Sequence, residues 1–212
     1  MRAGRCPSEI RLIAVSKTVG ADLVLKAIDN GQREFGENRV QEAQEKITHL
    51  GPSPSGAKVI WHMIGHLQKN KAGTAVELFD LIHSVDSAEL AGAIDRHARK
   101  AGKVQEILVQ VKLAAEESKH GAGEEDVYDI LRKVRVMENL NLRGLMTIPP
   151  FFDEPERARP YFRRLREIKE KAAALGFALP ELSMGMSGDF EVAIEEGATM
   201  VRVGSSIFGE RK

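Results

Sequence analysis

Short apolar runs alternate along the chain with longer segments in which apolar residues recur every three or four positions. The first run, at 11–16, is typical of a buried strand, and the helical pattern over 21–30 ends at Gly31, a residue suited to a C-terminal helix cap. The same pattern of strand and then helix continues along the chain. It predicts further strands near 33–36, 59–64, 81–85, 107–111, 142–148, 181–185 and 200–204. It predicts further helices near 39–50, 69–78, 87–101, 124–138 and 155–175, and one that carries Phe190, Ala193 and Ile194.

Eight apolar strands separated by helices are typical of a parallel sheet that is buried on both faces. Eight is also the number of strands that closes into a (β/α)8 barrel. We therefore predict an α/β protein with a single domain over residues 1–212, a TIM barrel, with an open doubly wound sheet as the alternative. In such barrels the active site lies at the C-terminal ends of the strands, and phosphate commonly binds at the loops after strands seven and eight.

The composition narrows the classes of function. The 31 basic and 31 acidic residues give a net charge of zero. The protein therefore lacks the positive electrostatic field that is typical of a dedicated nucleic-acid-binding protein. The single cysteine, Cys6, excludes an internal disulfide and a cysteine-rich metal site, as is typical of a reducing compartment. No apolar run approaches the roughly 18 residues that cross a bilayer. We therefore expect a cytoplasmic protein with no nucleic-acid partner and no membrane partner.

Lys17 directly follows the first strand, on the face of the barrel where active sites form. A buried ammonium group loses much of its hydration energy unless it is paired or deprotonated. Lys17 therefore either reaches for water or is held in place for chemistry, and the hydrophobic pattern alone leaves both interpretations open.

The segment after strand seven has the features of a phosphate site. Gly185 and Gly188 flank Ser187, which stands where it could cap the next helix, and glycines let backbone amides approach an anion closely. Gly204-Ser205-Ser206, after strand eight, offers a second set of amides and hydroxyls. Taken singly, Ser187 is explained as a cap and Gly204 as a turn. Taken together, they match the usual phosphate position of the barrel.

Two charged residues lie close to this segment in the sequence. Asp189 would oppose a phosphate, so we expect it to point outward. Arg202 lies in the middle of strand eight, where an inward side chain needs an acceptor and an outward one would pair with a helix carboxylate. A lysine and a phosphate site on one barrel face are consistent with either a Schiff-base aldolase acting on a sugar phosphate or a pyridoxal phosphate protein.

Five motifs decide between these two classes. They are AVSKT, FGENRVQE, WHMIGHLQKNK, LRGLMTIPP and SMGMSGDFEVAIEEGATMVRVGSSIFG. In this order, from about residue 10 to residue 211, they closely resemble the pyridoxal phosphate homeostasis protein family, which is related to the barrel domain of alanine racemase. The resemblance implies a pyridoxal 5'-phosphate-binding barrel of fold type III that takes part in intracellular vitamin B6 homeostasis.

The resemblance also implies roles for individual residues. Lys17 would form the Schiff base with the cofactor aldehyde, Asn38 would lie near the phenolic oxygen, and Arg202 would face the pyridine nitrogen. The other positions expected to bind the cofactor are Ser187, Gly204 and Ser205 at the phosphate, and Met184 and His62 around the ring. Lys119 matches a family lysine near the pocket mouth, and the alternative for it is a solvated loop lysine.

His62 and His66 raise the question of a metal ion or a general base. No acidic residue stands at metal-ligand spacing from them and the HExxH pattern is absent, so we expect no metal site. Relatives usually carry a helix before the first strand. Here the sequence MRAGRCPSE leaves little room for that helix, so we expect it to be largely absent.

Arg202 bears on mechanism as well. A guanidinium group cannot accept a hydrogen bond, so a pyridine nitrogen that faces it stays unprotonated and withdraws electrons weakly. Alanine racemase is similar in this respect, but it uses a tyrosine base from a second domain of a partner subunit. This chain ends directly after the eighth strand, and Tyr128 and Tyr161 lie on predicted helices.

We therefore expect no catalytic residues and a monomeric carrier that yields pyridoxal phosphate to dependent apoenzymes or to amino acids. An amino-acid racemase of low efficiency is the alternative. A lysine-dependent aldolase without a cofactor is a more remote one.

Overall fold

Eight parallel strands close into a barrel in the computed structural model, which describes residues 3–51, 56, 58–114 and 120–209. The strands are β1 Arg11–Val15, β2 Glu34–Glu37, β3 Ile60–Met63, β4 Leu81–Val85, β5 Gln105–Gln110, β6 Leu140–Met146, β7 Glu181–Ser183 and β8 Met200–Val203. Each strand pairs with the next one in the chain, and β8 pairs with β1. The (β/α)8 barrel is therefore confirmed, and the open sheet is wrong.

Helices separate the strands and cover the outside of the barrel. They are α1 Ala21–Asp29, α2 Val40–Leu50, α3 Ala72–Leu78, α4 Ala88–Lys100, α5 Glu124–Val134, α6 Arg159–Ala174, α7 Phe190–Glu195 and α8 Ser205–Phe208. Gly31 adopts φ +96° just after α1, and its N–H donates to the Ile28 carbonyl, as expected of a residue that ends a helix. Among the described residues, no helix is both long and apolar enough to cross a membrane.

Some element boundaries differ from the prediction. The segments predicted as helix from 69 and from 155 each begin with a 3₁₀ turn, at Lys69–Lys71 and at Pro155–Ala158. The helix predicted over 124–138 ends at Val134, and β6 begins earlier than predicted. Asp95 of α4 accepts hydrogen bonds from the main chain and side chain of Asn139, and these bonds hold the chain in position at the start of β6.

Two apolar clusters form the core. The larger one packs between the strands and the helices and includes the fully buried Phe35, Phe79 and Phe162. The smaller one consists of Ile13, Leu81, Leu108, Met146 and Met200. Ile13 pairs in register with Arg202, so these two side chains point to the same side of the sheet, the barrel interior. The interior of the barrel therefore holds polar as well as apolar side chains.

Gly144 lets β6 and β7 approach each other closely. A Cβ atom at Gly144 would lie 1.9 Å from the carbonyl oxygen of Glu181. Beyond this point the pairing of the two strands continues, and Thr147 N–H donates to the Ser183 carbonyl at 3.2 Å. The close approach places Thr147 and Ser183 side by side at the C-terminal end of the barrel.

Candidate functional site

A cavity of about 720 Å3 opens at the C-terminal ends of the strands. This volume is within the range of small-molecule sites, about 300 to 1,000 Å3. Six of the residues predicted to bind the cofactor border it, namely Lys17, Asn38, Ser187, Arg202, Gly204 and Ser205. These six residues come from β1, β2, β7 and β8 or from the loops that follow them, so closure of the barrel brings them together.

Lys17 is half-buried and lies two residues after the end of β1, where Ser16 separates it from the strand. The next residue, Thr18, has φ +61°, a left-handed conformation that a β-branched residue adopts only under constraint. A carboxylate oxygen of Glu42 accepts the Thr18 N–H and holds this conformation. On the other side of Lys17, the buried Ser16 donates from Oγ to Glu37 Oε1 at 2.7 Å. Both neighbours of Lys17 in the chain are therefore fixed by carboxylates.

A buried ion pair lies beneath this turn. Lys46 of α2 donates from Nζ to the Ser16 carbonyl at 2.6 Å and pairs with Glu37, and both charged side chains are buried. Burial raises the pKa of Glu37, and the hydrogen bonds from Lys46 and Ser16 oppose that rise. This pair was not predicted from the sequence. One feature of the sequence does indicate a buried charge: Lys46 falls on the apolar helix face that also carries Ala43 and Leu50.

The loops after β7 and β8 meet at the cavity, but Ser187 does not cap the next helix. Its Oγ instead accepts the N–H of Gly204 at 3.1 Å, which joins the two loops. The residue that precedes α7 is Asp189. Gly185 has φ +92°, and a Cβ atom there would lie 2.6 Å from Cβ of Ala193, so glycine lets this loop pass close to α7.

The expectation that Asp189 points away from the barrel is wrong. Asp189 borders the cavity, and its Oδ1 accepts the N–H of Met186 at 2.6 Å. Burial raises the pKa of Asp189, while the Met186 N–H and the charge of Arg202 oppose the rise. The carboxylate of Asp189 is therefore held within the loop after β7 by the Met186 N–H, and the nearby charge of Arg202 partly offsets its own charge.

Arg202 points inward and is 3% exposed. Its Nη1 donates to Ser183 Oγ at 2.7 Å, and its Nη2 donates to the Thr147 carbonyl at 2.9 Å. Burial lowers the pKa of Arg202 to about 10, so the guanidinium is still charged at neutral pH. Ser183 of β7 and Thr147, the residue after β6, therefore supply the acceptors that an inward arginine needs. The alternative of an outward residue paired with a helix carboxylate is wrong.

Two buried histidines extend the hydrogen-bonded chain that begins at Arg202 and Ser183 across the barrel interior. Ser183 Oγ lies 2.9 Å from Nδ1 of His83, and Nε2 of His83 lies 3.0 Å from Nδ1 of His62. Nε2 of His62 in turn lies 3.2 Å from Oε2 of Glu34, although the angle there is too poor for a regular hydrogen bond. A line of polar side chains thus runs from Glu34, at the start of β2, to the arginine at the cavity.

His62 and Met184 do not border the cavity. His62 lies in the barrel interior below the cavity, in contact with His83, and Met184 is fully buried in the larger apolar cluster. The structure therefore does not support the prediction that His62 is a wall of the pocket. The methionine that does border the cavity is Met186. Lys119 lies outside the described residues.

His83 gives the protein a pH-dependent stability. Burial lowers the pKa of His83 well below its usual range, and the neighbouring His62 and Arg202 lower it further. The unfolded chain takes up a proton at this histidine below about pH 6.5, whereas the folded chain does not. The part of the unfolding free energy that depends on a neutral His83 is therefore fully present above pH 6.5 and is lost as the pH falls.

We predict that one such histidine costs about 1.4 kcal/mol of unfolding free energy at pH 5.5. The measurement is urea unfolding at pH 7.5 and pH 5.5 of the parent and of His83→Asn, with His49→Asn, at an exposed position of α2, as the control. The parent and the control should lose more stability on acidification than His83→Asn. Equal losses in all three proteins would contradict a buried neutral His83.

Comparison with known proteins agrees with this geometry. A family model described as the N-terminal domain of alanine racemase matches residues 2–212. The pyridoxal phosphate homeostasis protein of Aquifex aeolicus is 43% identical over 212 residues, which cover 100% of this chain and 91% of that protein. The chain belongs to the pyridoxal phosphate homeostasis protein family.

Two solved structures of PipY from Synechococcus elongatus are similar over nearly the whole chain. The structure with PLP bound has a TM-score of 0.88 at 40% identity and covers 98% of this chain and 96% of its own. The structure without PLP has a TM-score of 0.90 at 41% identity and covers 97% and 95%.

Proposed function

We propose that this chain binds pyridoxal 5'-phosphate in the cavity at the end of the barrel and serves as a carrier in its homeostasis. The observation that carries the proposal is that Lys17, Arg202 and the serines after β7 and β8 border one cavity. The relative in Aquifex aeolicus is named for pyridoxal phosphate homeostasis, and a similar solved structure contains PLP. When bound, the cofactor supplies an aldehyde that reacts reversibly with amines.

The chemistry of the lining fits each end of this cofactor. The Lys17 amine is the nucleophile for the aldehyde carbon, and its chain neighbours are fixed by carboxylates. Ser187 accepts a hydrogen bond from Gly204 and still has its own hydroxyl hydrogen to donate to a phosphate. The first amides of α8, at Ser205 and Ser206, lie at the same end of the cavity.

The arrangement favours storage over turnover. Arg202 can only donate hydrogen bonds, so a pyridine nitrogen held opposite it would stay unprotonated. Neither of the two tyrosines of the chain, Tyr128 and Tyr161, borders the cavity, so neither is placed as a proton-transfer base in this structure. We therefore propose a carrier rather than an amino-acid racemase.

The carrier is proposed to act in the cytoplasm as a monomer and to yield the cofactor to dependent apoenzymes or to amino acids. The proposal of a reducing compartment rests on the single cysteine. A monomer predicts a solution mass near 23.4 kDa by light scattering. A mass of twice that value would contradict the monomer and leave cofactor binding to be judged separately.

The experiment that tests the proposal is an absorbance spectrum of the protein after incubation with pyridoxal phosphate and gel filtration. A yellow protein whose colour is bleached by borohydride is expected, with the reduced cofactor on the peptide that contains Lys17. A colourless protein that retains no cofactor would overturn the proposal and return the site to the cofactor-free aldolase. Racemisation of alanine or serine faster than with free cofactor would favour the racemase.

Replacement of Arg202 tests its effect on reactivity. We predict that Arg202→Glu binds pyridoxal phosphate more weakly, because a carboxylate cannot donate to the Thr147 carbonyl or to Ser183. The same variant should exchange the α-proton of a deuterated amino acid faster per bound cofactor, because a carboxylate favours a protonated pyridine nitrogen.

The control for this experiment is Arg202→Lys, which keeps a cation at the position. Its exchange rate per bound cofactor should stay near that of the parent. If the parent exchanges as fast as Arg202→Glu, or faster, Arg202 does not suppress chemistry and the racemase becomes the better explanation.

A further inference from the structure

Two histidines and an aspartate converge at the C-terminal face of the barrel. His66 follows β3, Asp86 follows β4, and His120 lies between β5 and α5. The three residues are far apart in sequence, but their strands are neighbours in the barrel, so the loops that follow the strands meet. One potential ligand atom from each residue lies within 4.8 Å of the others.

The local contacts orient this cluster, which we call the His66 cluster (His66, Asp86 and His120). Nδ1 of His66 lies 3.5 Å from Oδ2 of Asp86, and the two imidazole rings stack with centroids 3.7 Å apart. Ser87 Oγ donates to the other carboxylate oxygen, Oδ1, at 3.3 Å. The buried Gln110 donates to the His120 carbonyl at 2.9 Å, so β5 holds the backbone of this histidine in place.

We propose that the His66 cluster binds a divalent transition-metal ion, with Zn2+ as the best match, and leaves a fourth position open to water. Two imidazole nitrogens and one carboxylate oxygen suit zinc, whereas Mg2+ and Ca2+ prefer sets made entirely of oxygen. A tetrahedral zinc about 2.1 Å from its ligands sets the ligand atoms about 3.4 Å apart. The 3.5 Å between His66 and Asp86 already matches this spacing.

The remaining ligand comes within reach through a side-chain rotation. The two imidazole rings now lie nearly parallel, so the His120 ring has to leave the stack to bind the same ion as His66. His120 is exposed, so this rotation displaces no core residue. The hydrogen bond from Ser87 to Oδ1 directs Oδ2 of Asp86 toward the ion, as is usual for carboxylates that bind metals.

Metal binding at this cluster joins the ends of β3, β4 and β5 beside the proposed cofactor site. His66 borders a neighbouring cavity of about 310 Å3, and Asn38 borders both cavities. The ion is held by protein side chains alone, so the inference is independent of cofactor binding.

The test is calorimetric titration of Zn2+ into the full chain, loaded with pyridoxal phosphate and free of it, with Mg2+ as the comparison ion. One zinc per chain is expected in both forms, and no heat of binding with Mg2+. Asp86→Asn and His120→Asn should each weaken the affinity at least tenfold. Zinc should raise the melting temperature of the parent and fail to raise that of either variant.

Two matched variants separate this cluster from other sites. His49→Asn removes an exposed histidine elsewhere and should bind zinc like the parent. Lys17→Ala should also keep its zinc, since Lys17 is not part of the cluster. The proposal is overturned if the parent binds no zinc or if Asp86→Asn and His120→Asn bind it as tightly as the parent. It is also overturned if the loaded parent binds zinc and the cofactor-free parent does not, because the cofactor would then be a ligand of the ion.

Discussion

Lys17→Ala is expected to abolish the colour of the loaded protein while leaving the barrel folded. Lys17 is the only lysine among the described residues that border the cavity, so its removal deletes the amine that we propose reacts with the cofactor aldehyde. Lys17 follows β1 and is half-buried, so its substitution leaves the strand pairing and the apolar core in place. The variant keeps the loops at Ser187 and Ser205, the proposed phosphate site, so it should bind the cofactor weakly and lose it on dialysis.

The measurements for this variant are the absorbance spectrum, borohydride reduction followed by peptide mass spectrometry, and thermal unfolding. Lys71→Ala is the matched control, because Lys71 borders the neighbouring cavity rather than the proposed cofactor site. The control should keep a full complement of reduced cofactor at Lys17. A reducible adduct at full stoichiometry in Lys17→Ala would mean that another lysine carries the bond, with Lys119 as the first to examine.

The fold could be predicted because most strands of the barrel contain a short apolar run and are separated by helical patterns. All five residues of β4, Leu81–Val85, are buried and three of them are apolar, as is typical of a parallel strand that is covered on both faces. The start of β6 was placed too late because Leu140 is only partly buried and Asn141 is exposed, so the apolar signal begins after the pairing does. Hydrogen bonds rather than burial set that boundary.

The residues around the cavity could be predicted for a related reason. Lys17 lies two residues after β1 and Gly204 directly follows β8, and closure of a parallel barrel brings all such positions to one face. His62 and Met184 were harder to place. A strand that is buried on both faces has no alternation of polarity, so the sequence does not show which of its side chains point into the barrel.

The contacts that the sequence could not show join residues on different elements. Glu37 pairs with Lys46 because α2 packs against the end of β2, and His66 meets Asp86 because β3 and β4 are neighbours. Neither pair has a spacing that marks it in the sequence. A charged residue on the buried face of a helix, as at Lys46, is the signal that would have led to the first of them.

Lys46→Met is expected to lower the free energy of unfolding by about 3 kcal/mol or more, because it leaves Glu37 as a buried carboxylate without its cation. In a chain of this length, that loss lowers the melting temperature by roughly 6 to 12 °C. Glu37→Gln in the Lys46→Met background removes the uncompensated charge and should recover part of the loss.

The effect of Lys46→Met should also reach the chemistry of the site. Lys46 donates to the Ser16 carbonyl directly before Lys17, so the variant should react with pyridoxal phosphate more slowly even at temperatures where it is fully folded. Lys133→Met, at an exposed position of α5, is the control and should stay within about 0.5 kcal/mol of the parent in stability and react at the parent rate. Should Lys46→Met melt and react like this control, the ion pair beneath the turn neither stabilises the barrel nor positions Lys17.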